Sequence, residues 1–301
     1  MESVLPSEAP RCFTFHMLRR PIWKWVFATL MILVITLVAL LLWLRPDTTP
    51  RKEIYKGVFL TIEELYEGSG GSGKAMIIEV HWDTPGIQIN NRPYSFPVRT
   101  GDPHNPHYRL ALADFALAQE DAEILINTTL YSPHRFYKSM PGMPVRSVET
   151  LVVDGKISHV HAHSYLLYWD HLKEAYILTG KPPDSISLGK AVTGIGLNGV
   201  QVRHGEAFYG AIADLDHQSA RSFIGIDPVR NILYLLAFEN VSARTMIDWA
   251  VKAGVVHGGQ ADSGSSTNLL IGSGADDITP HTGIRNWRPL GAYLTIQANP
   301  L

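Results

Sequence analysis

Twenty consecutive residues without a charge, from Trp25 to Leu44 (WVFATLMILVITLVALLLWL), constrain this chain more than any other feature. Wound as a helix, about 20 apolar residues match a hydrocarbon core of about 30 Å. Trp23, Trp25 and Trp43 stand at the two ends of the run, where indole rings favour the headgroup layer. A cleavable leader would carry a shorter apolar core, about 7–15 residues, followed by a small-residue cleavage site. Leu44-Arg45-Pro46-Asp47 offers no such site. The run therefore predicts a transmembrane anchor over 25–44. Arg19, Arg20 and Lys24 crowd its N-terminal flank, and excess positive charge marks the cytoplasmic side. Residues 1–24 are thus expected in the cytoplasm, in a protein that crosses the cell membrane once and holds its C-terminal domain in the periplasm.

The rest of the chain reads as a folded domain. With 46% hydrophobic and 18% charged residues, it has enough apolar surface to offset the entropy of folding. A net charge of −2 argues against nucleic acid as a partner, which calls for a basic excess or stripe. A mean hydropathy of +0.01 excludes a polytopic membrane protein. The single cysteine, Cys12, excludes a disulfide framework and a multi-cysteine zinc site. Its place before the apolar run leaves the expected exported portion free of thiols, which suits an oxidising compartment.

Residues 45–56 are polar and contain Pro46 and Pro50, the composition of a tether. Beyond them come short runs rich in β-branched and aromatic residues, bounded by Gly, Pro, Asn or Asp: 75–82, 124–127, 150–153, 156–161, 176–178, 221–226 and 232–238. These are strand signatures. Asp154-Gly155 suits the positive φ values of a tight hairpin turn. Helical spacing is expected over 108–120 and 245–253, the second closed by Gly254 as a C-cap. The expected fold class is α+β: one N-terminal transmembrane helix, then a single strand-rich domain with a few helices over 57–301.

Three motifs invite chemistry. Gly68 to Ala75 (GSGGSGKA) spells most of a phosphate-binding loop, but Ala75 stands where a magnesium-binding hydroxyl belongs and a strand follows in place of a helix, so it reads as a flexible turn. His159, His161 and His163 alternate along one strand face; lacking a nearby carboxylate or cysteine, they read as a polar face, and neither a metal nor a cofactor is expected. The densest signal is 258–268 (GGQADSGSSTN), small residues with one carboxylate and several hydroxyls, leading into Leu269-Leu270-Ile271. Glycines there permit close backbone approach to a ligand, and successive N–H groups can cradle an anion. Asp262-Ser263-Gly264 also has the form of an aspartic protease turn, but that chemistry needs two such turns and the chain has one.

From this loop outward the chain resembles the phosphodiester glycosidase family, that of the mannose-6-phosphate uncovering enzyme. Asp262-Ser263-Gly264-Ser265-Ser266-Thr267 is similar to the family's Asp-Gly-Gly-Gly-Ser-Ser/Thr loop, with Ser263 and Ser265 in place of two glycines. Arg288-Pro289-Leu290 resembles its Arg-Pro-Val segment, Ala220 to Ile226 its Pro-Arg-Thr-Ala-Ile-Gly strand, and Ile124 to Tyr131 its Ala-Ile-Asn-Gly-Gly-Phe-Phe motif, where Asn127 lacks the glycines that follow.

The resemblance implies a membrane-anchored hydrolase that cleaves a sugar-1-phosphodiester, a carbohydrate phosphodiester of envelope or extracellular glycoconjugates. It implies Arg221 and Arg288 against the leaving phosphate and Asp262 as base or as support for an oxocarbenium-like sugar. Asn127, Gly264, Ser265, Ser266 and Thr267 would bind substrate. The reading that stands beside it is a non-catalytic envelope protein holding a glycan or an anion in the same pocket.

Overall fold

The computed structural model describes residues 20–43, 49–67, 71–93, 108–132, 140–159, 165–178, 189–212, 215–272, 283–286 and 288–301. The chain divides into two units, Met1–Pro46 and Asp47–Leu301.

In the first unit, α1 (Arg20–Trp43) covers the apolar run. Its described side chains, 25–36, are all exposed. Among the described residues, no helix is long and apolar enough to cross a membrane. This overturns the transmembrane helix expected over 25–44. The fold class is corrected with it. The chain is strand-rich, with three helices among the described residues and no spanning one.

The second unit is built from antiparallel sheets. The largest has eight strands in the order Thr49–Tyr55, Val58–Glu67, Gly71–His81, Ile232–Val241, Ser219–Asp227, His257–Gln260, Val202–Arg203, Glu206–Ala207. Its central strand shows why an unbroken apolar run can still be a strand. Leu233, Leu235 and Ala237 belong to one core, while Tyr234, Leu236 and Phe238 belong to another. Period-two alternation thus feeds two covered faces. One face packs against α3 (Ala243–Ala253) through Met246, Ile247 and Ala250. The other joins Ile124, Ile126, Leu294 and Ile296, and Leu167 and Ile195, in the main core.

Those residues come from two five-stranded sheets. One is ordered Gly283–Ile284, Leu269–Ile271, Ile124–Asn127, Ala292–Gln297, Gln88–Pro93; the other Lys156–His159, Leu151–Val153, Thr193–Leu197, Tyr165–Trp169, Ala175–Leu178.

Local signals behaved as their chemistry requires. Asp154 and Gly155, at φ +49° and +73°, turn the hairpin in which Val153 faces Lys156. α3 starts where the Ser242 side chain accepts the Thr245 N–H at 3.1 Å, and ends at Gly254 with φ +98°. Two elements differ from expectation. The helix expected over 108–120 shrinks to α2 (Ala113–Gln119), because Leu110 and Ala111 give their N–H groups to Met143 and Leu290 instead. Thr49–Tyr55, in the stretch read as a tether, is the edge strand of the large sheet and buries Ile54 and Tyr55. An edge position tolerates Pro50, whose missing N–H costs no ladder bond there. Of the phosphate-loop-like run, Gly71 onward is already strand. The rest of that run lies outside the described residues, as do His161, His163 and the side chain of His159.

Candidate functional site

The loop that leaves His257–Gln260 runs between two sheets and is stitched to both. The Ala261 N–H donates to the Ser222 carbonyl at 2.9 Å, in the large sheet. The next N–H, of Asp262, donates to the Thr128 carbonyl at 2.7 Å, just past Ile124–Asn127. Gly258 and Gly259, read from sequence as room for a ligand, serve the sheet instead. A Cβ at Gly259 would stand 2.0 Å from the Gly199 carbonyl oxygen, and one at Gly258 would stand 2.7 Å from Gly225 Cα.

Three asparagines brace the loop. Asn127 Nδ2 donates to the Asp262 carbonyl at 2.5 Å, and its Oδ1 accepts from Ser222 Oγ at 2.6 Å and from the Asn268 N–H at 2.9 Å. Asn268 Nδ2 donates to the Ser266 carbonyl at 3.1 Å, and its Oδ1 accepts the Asn286 N–H at 3.0 Å. Asn286 Nδ2 donates to the Thr267 carbonyl at 2.8 Å. Asn127, expected to hold a sugar, has its Oδ1 and one amide hydrogen spent inside the protein. Asn268 and Asn286 were not singled out in the sequence, although a polar residue directly before a buried apolar strand, as at Asn268, is the signal that finds one of them.

Within this frame Gly264, Ser265 and Ser266 form a single 3-10 turn, closed by the Thr267 N–H on the Gly264 carbonyl at 3.1 Å. Gly264 sits at φ +70°, a conformation that favours glycine, with nothing within 4 Å of where a Cβ would be. Ser263, which takes a glycine's place in the family pattern, turns its hydroxyl inward. It accepts from Gln260 Nε2 at 2.9 Å and donates to the Ala261 carbonyl at 3.3 Å.

The Asp262 carboxyl is buried, and burial pushes its pKa up to about 6 from 3.8. The Ser266 hydroxyl, the charge of Arg288 and the Ser263 N–H pull the other way without cancelling it. Arg288 lies with its guanidinium carbon 4.9 Å from the centre of the Tyr131 ring. The Tyr131 hydroxyl donates to the Pro289 carbonyl at 2.9 Å, which holds the neighbouring backbone. Arg288 Nε and Nη2 are buried and have no hydrogen-bond partner among the described residues, and the same holds for Thr128 Oγ1 and Thr267 Oγ1.

Arg221 is placed elsewhere. Strand alternation sends Ser222, Ile224 and Ile226 toward Asn127 and the main core. Arg221 and Phe223 point to the opposite face, which α3 covers. There Arg221 Nε donates to the Val241 carbonyl at 3.0 Å and its Nη2 to the His217 carbonyl. The structure therefore brings Asp262, Ser266, Thr267 and Arg288 together, frames them with Asn127, and sets Arg221 behind the sheet.

No protein-family model matches this chain, and no curated protein matches it. Solved structures share its fold. The catalytic domain of zebrafish N-acetylglucosamine-1-phosphodiester alpha-N-acetylglucosaminidase, auto-inhibited by its pro-peptide, is similar with a TM-score of 0.58 and 15% identity, over 84% of this chain and 88% of that one. A hypothetical protein from Synechocystis is similar with a TM-score of 0.55 and 10% identity, over 84% of this chain and 64% of that one.

Proposed function

We propose that the 47–301 unit is a hydrolase that cleaves a sugar-1-phosphodiester between the anomeric carbon and the phosphate oxygen, using Asp262 and Arg288. The observation that carries this reading is one pairing of opposites: a buried carboxyl with its pKa raised to about 6 beside a guanidinium whose buried Nε and Nη2 have no hydrogen-bond partner among the described residues. A buried donor left without an acceptor costs about 1–3 kcal/mol, more when charged, so the arrangement favours an anionic ligand. The planar fork of arginine matches two phosphate oxygens.

The chemistry follows from these groups. A phosphate monoester is a good leaving group, so stabilising charge on the departing oxygen matters more than protonating it. Arg288 serves that charge from a buried position, where a fixed donor is worth most. Water attacks the anomeric carbon, a carbon–oxygen bond forms, and the bond to the phosphate oxygen breaks with its electron pair leaving on phosphate. Asp262 takes the proton of that water. With a pKa of about 6 it is about nine-tenths ionised at pH 7, yet basic enough to hold a proton. The inward Ser263 hydroxyl supports the same reading, since the serine departs from the family loop without crowding its outer side.

Incubation of the purified chain with a panel of sugar-1-phosphodiesters, beginning with the N-acetylglucosamine-1-phosphodiester class in the zebrafish enzyme's name, tests this directly. Release of free sugar and phosphomonoester is expected. Saturable binding with no turnover on any member of the panel would instead favour a binding module.

A further inference from the structure

A second concave site lies far from Asp262. Trp82, Ile87, Ile89, Trp169, Val192 and Thr193 wall a cavity of about 180 Å³ where the three main sheets adjoin. All three sheets put it at the opposite strand ends from the Asp262 loop. In the large sheet, Ser222 beside that loop pairs with Ala237 and hence Met76, whereas the cavity begins after His81, five residues or about 16 Å along the strand. Next to it, Trp169 pairs with Thr193 at the cavity, while Asn198, five residues on, reaches Gln260 at 3.0 Å. The third sheet agrees, with Ile89 against Ile296 at the cavity and Asn127 against Tyr293 at the loop.

The cavity has a defined chemistry. Trp82 and Trp169 meet edge to face, with ring centroids 6.1 Å apart at 86°. Trp169 is 5% exposed, and its Nε1 is buried without a hydrogen-bond partner among the described residues. An indole nitrogen donates only, so an acceptor is what it lacks. The remaining wall is Ile87, Ile89 and Val192, with Thr193 and the neutral amide of Gln88 as its uncharged polar members. Asp170 and Lys173 flank it with one charge of each sign, which favours a neutral occupant. The flank is also fixed, because Asp170 Oδ1 accepts the Leu172 and Glu174 N–H groups at 2.8 and 3.0 Å. A cavity of about 150 Å³ lined by apolar side chains holds a benzene ring.

We propose that this cavity is an accessory site for a small, neutral, planar apolar molecule that carries one hydrogen-bond acceptor for Trp169. It is independent of the phosphodiester reading and of the Asp262 loop.

Calorimetric titration of the full chain with acetophenone, a ring with one carbonyl oxygen, tests it. Ethylbenzene, of the same shape without the oxygen, is the comparison. Saturable one-to-one binding of acetophenone is expected. Trp169→Phe should weaken it about fivefold, the value of one hydrogen bond, while leaving ethylbenzene unchanged. Val192→Phe, which fills the cavity, should abolish both, and Arg288→Ala should alter neither. Absence of saturable binding up to the solubility limit overturns the proposal. So does an acetophenone affinity that Trp169→Phe leaves unchanged, or one that Arg288→Ala weakens as much. If Val192→Phe fails to fold, the Trp169→Phe comparison decides alone.

Discussion

The Asn127 side-chain amide donates to the backbone carbonyl of Asp262 at 2.5 Å, joining residues 135 apart in sequence. The bond has company: the Asp262 N–H returns to the carbonyl of Thr128, next to Asn127. Asp262 is thus held at both its N–H and its carbonyl by one strand end, and its carboxyl is set by that frame. Asn127→Ala should therefore act first on folding. It leaves the Asp262 carbonyl, Ser222 Oγ and the Asn268 N–H without their partner, at a cost of about 3 kcal/mol in total. Urea unfolding of the variant measures it, and an unchanged midpoint would contradict the role.

Asp262 makes the stability of the chain depend on pH in a specific direction. Burial raises its pKa to about 6 from 3.8, so the folded state favours the protonated form. Its contribution is complete below 3.8 and is lost as pH rises through about 6. Asp262→Asn keeps the shape and removes the charge. Relative to wild type it should gain stability from pH 4 to 6 and level off above, at about 3 kcal/mol from a shift of about two units. Unfolding free energies of both proteins across that range show the difference curve; a flat one would mean that Asp262 is not perturbed.

Turnover should move the opposite way. If Asp262 accepts the proton of water, the wild-type rate rises with pH to a plateau above about 6, and Asp262→Asn loses that limb along with most activity. A folded Asp262→Asn protein with wild-type turnover removes Asp262 from the mechanism.

For Arg288 the expectation is a chemical loss with little structural penalty. Removing one donor that meets growing charge typically costs on the order of 10²–10³ in rate. Arg288→Ala should lose about that much in kcat, and Lys should restore only part of it, since it keeps the charge without the fork. Its melting temperature should fall only slightly, because Nε and Nη2 have no hydrogen bond to lose among the described residues, and what goes is the contact with the Tyr131 ring and the charge near Asp262. Steady-state kinetics and thermal melts together separate this from a structural arginine.

Arg221 should show that structural pattern. Its guanidinium holds the Val241 and His217 carbonyls on the α3 side of the sheet. Arg221→Met keeps most of the stem and deletes those bonds, so it should cost about 2–3 kcal/mol of stability. The rate per folded molecule should change by less than about tenfold, a size that loss of a donor to the reacting bond would exceed. A larger kcat loss in a fully folded variant would place Arg221 in the reaction.

Much of the architecture was legible because it rests on neighbours in sequence. The Asp154-Gly155 turn, the Ser242 and Gly254 caps and the two-residue alternation of 232–238 each follow from local sterics or local hydrogen bonds. The Asp262 loop stood out for the same reason, as one carboxylate among small hydroxyl residues.

Other features needed partners that composition does not show. An apolar run over 25–44 states its hydropathy, yet among the described residues no helix is long and apolar enough to cross a membrane. Residues 108–111 have a helical pattern, yet Tyr108 and Arg109 pair as a strand with Val145 and Pro144, and the carbonyls of Met143 and Leu290 take the N–H groups of Leu110 and Ala111.

The sequence by itself determined which residues of 221–226 share a face, because period two is a property of the backbone. Only the tertiary structure decided what each face meets: Ser222 meets Asn127, and Arg221 lies under α3. The same holds at the site. Asp262 and Arg288 are visible as a carboxylate and a cation wherever they stand, but a pKa near 6, and a guanidinium Nε and Nη2 without a partner among the described residues, arise from burial among segments far apart in the chain.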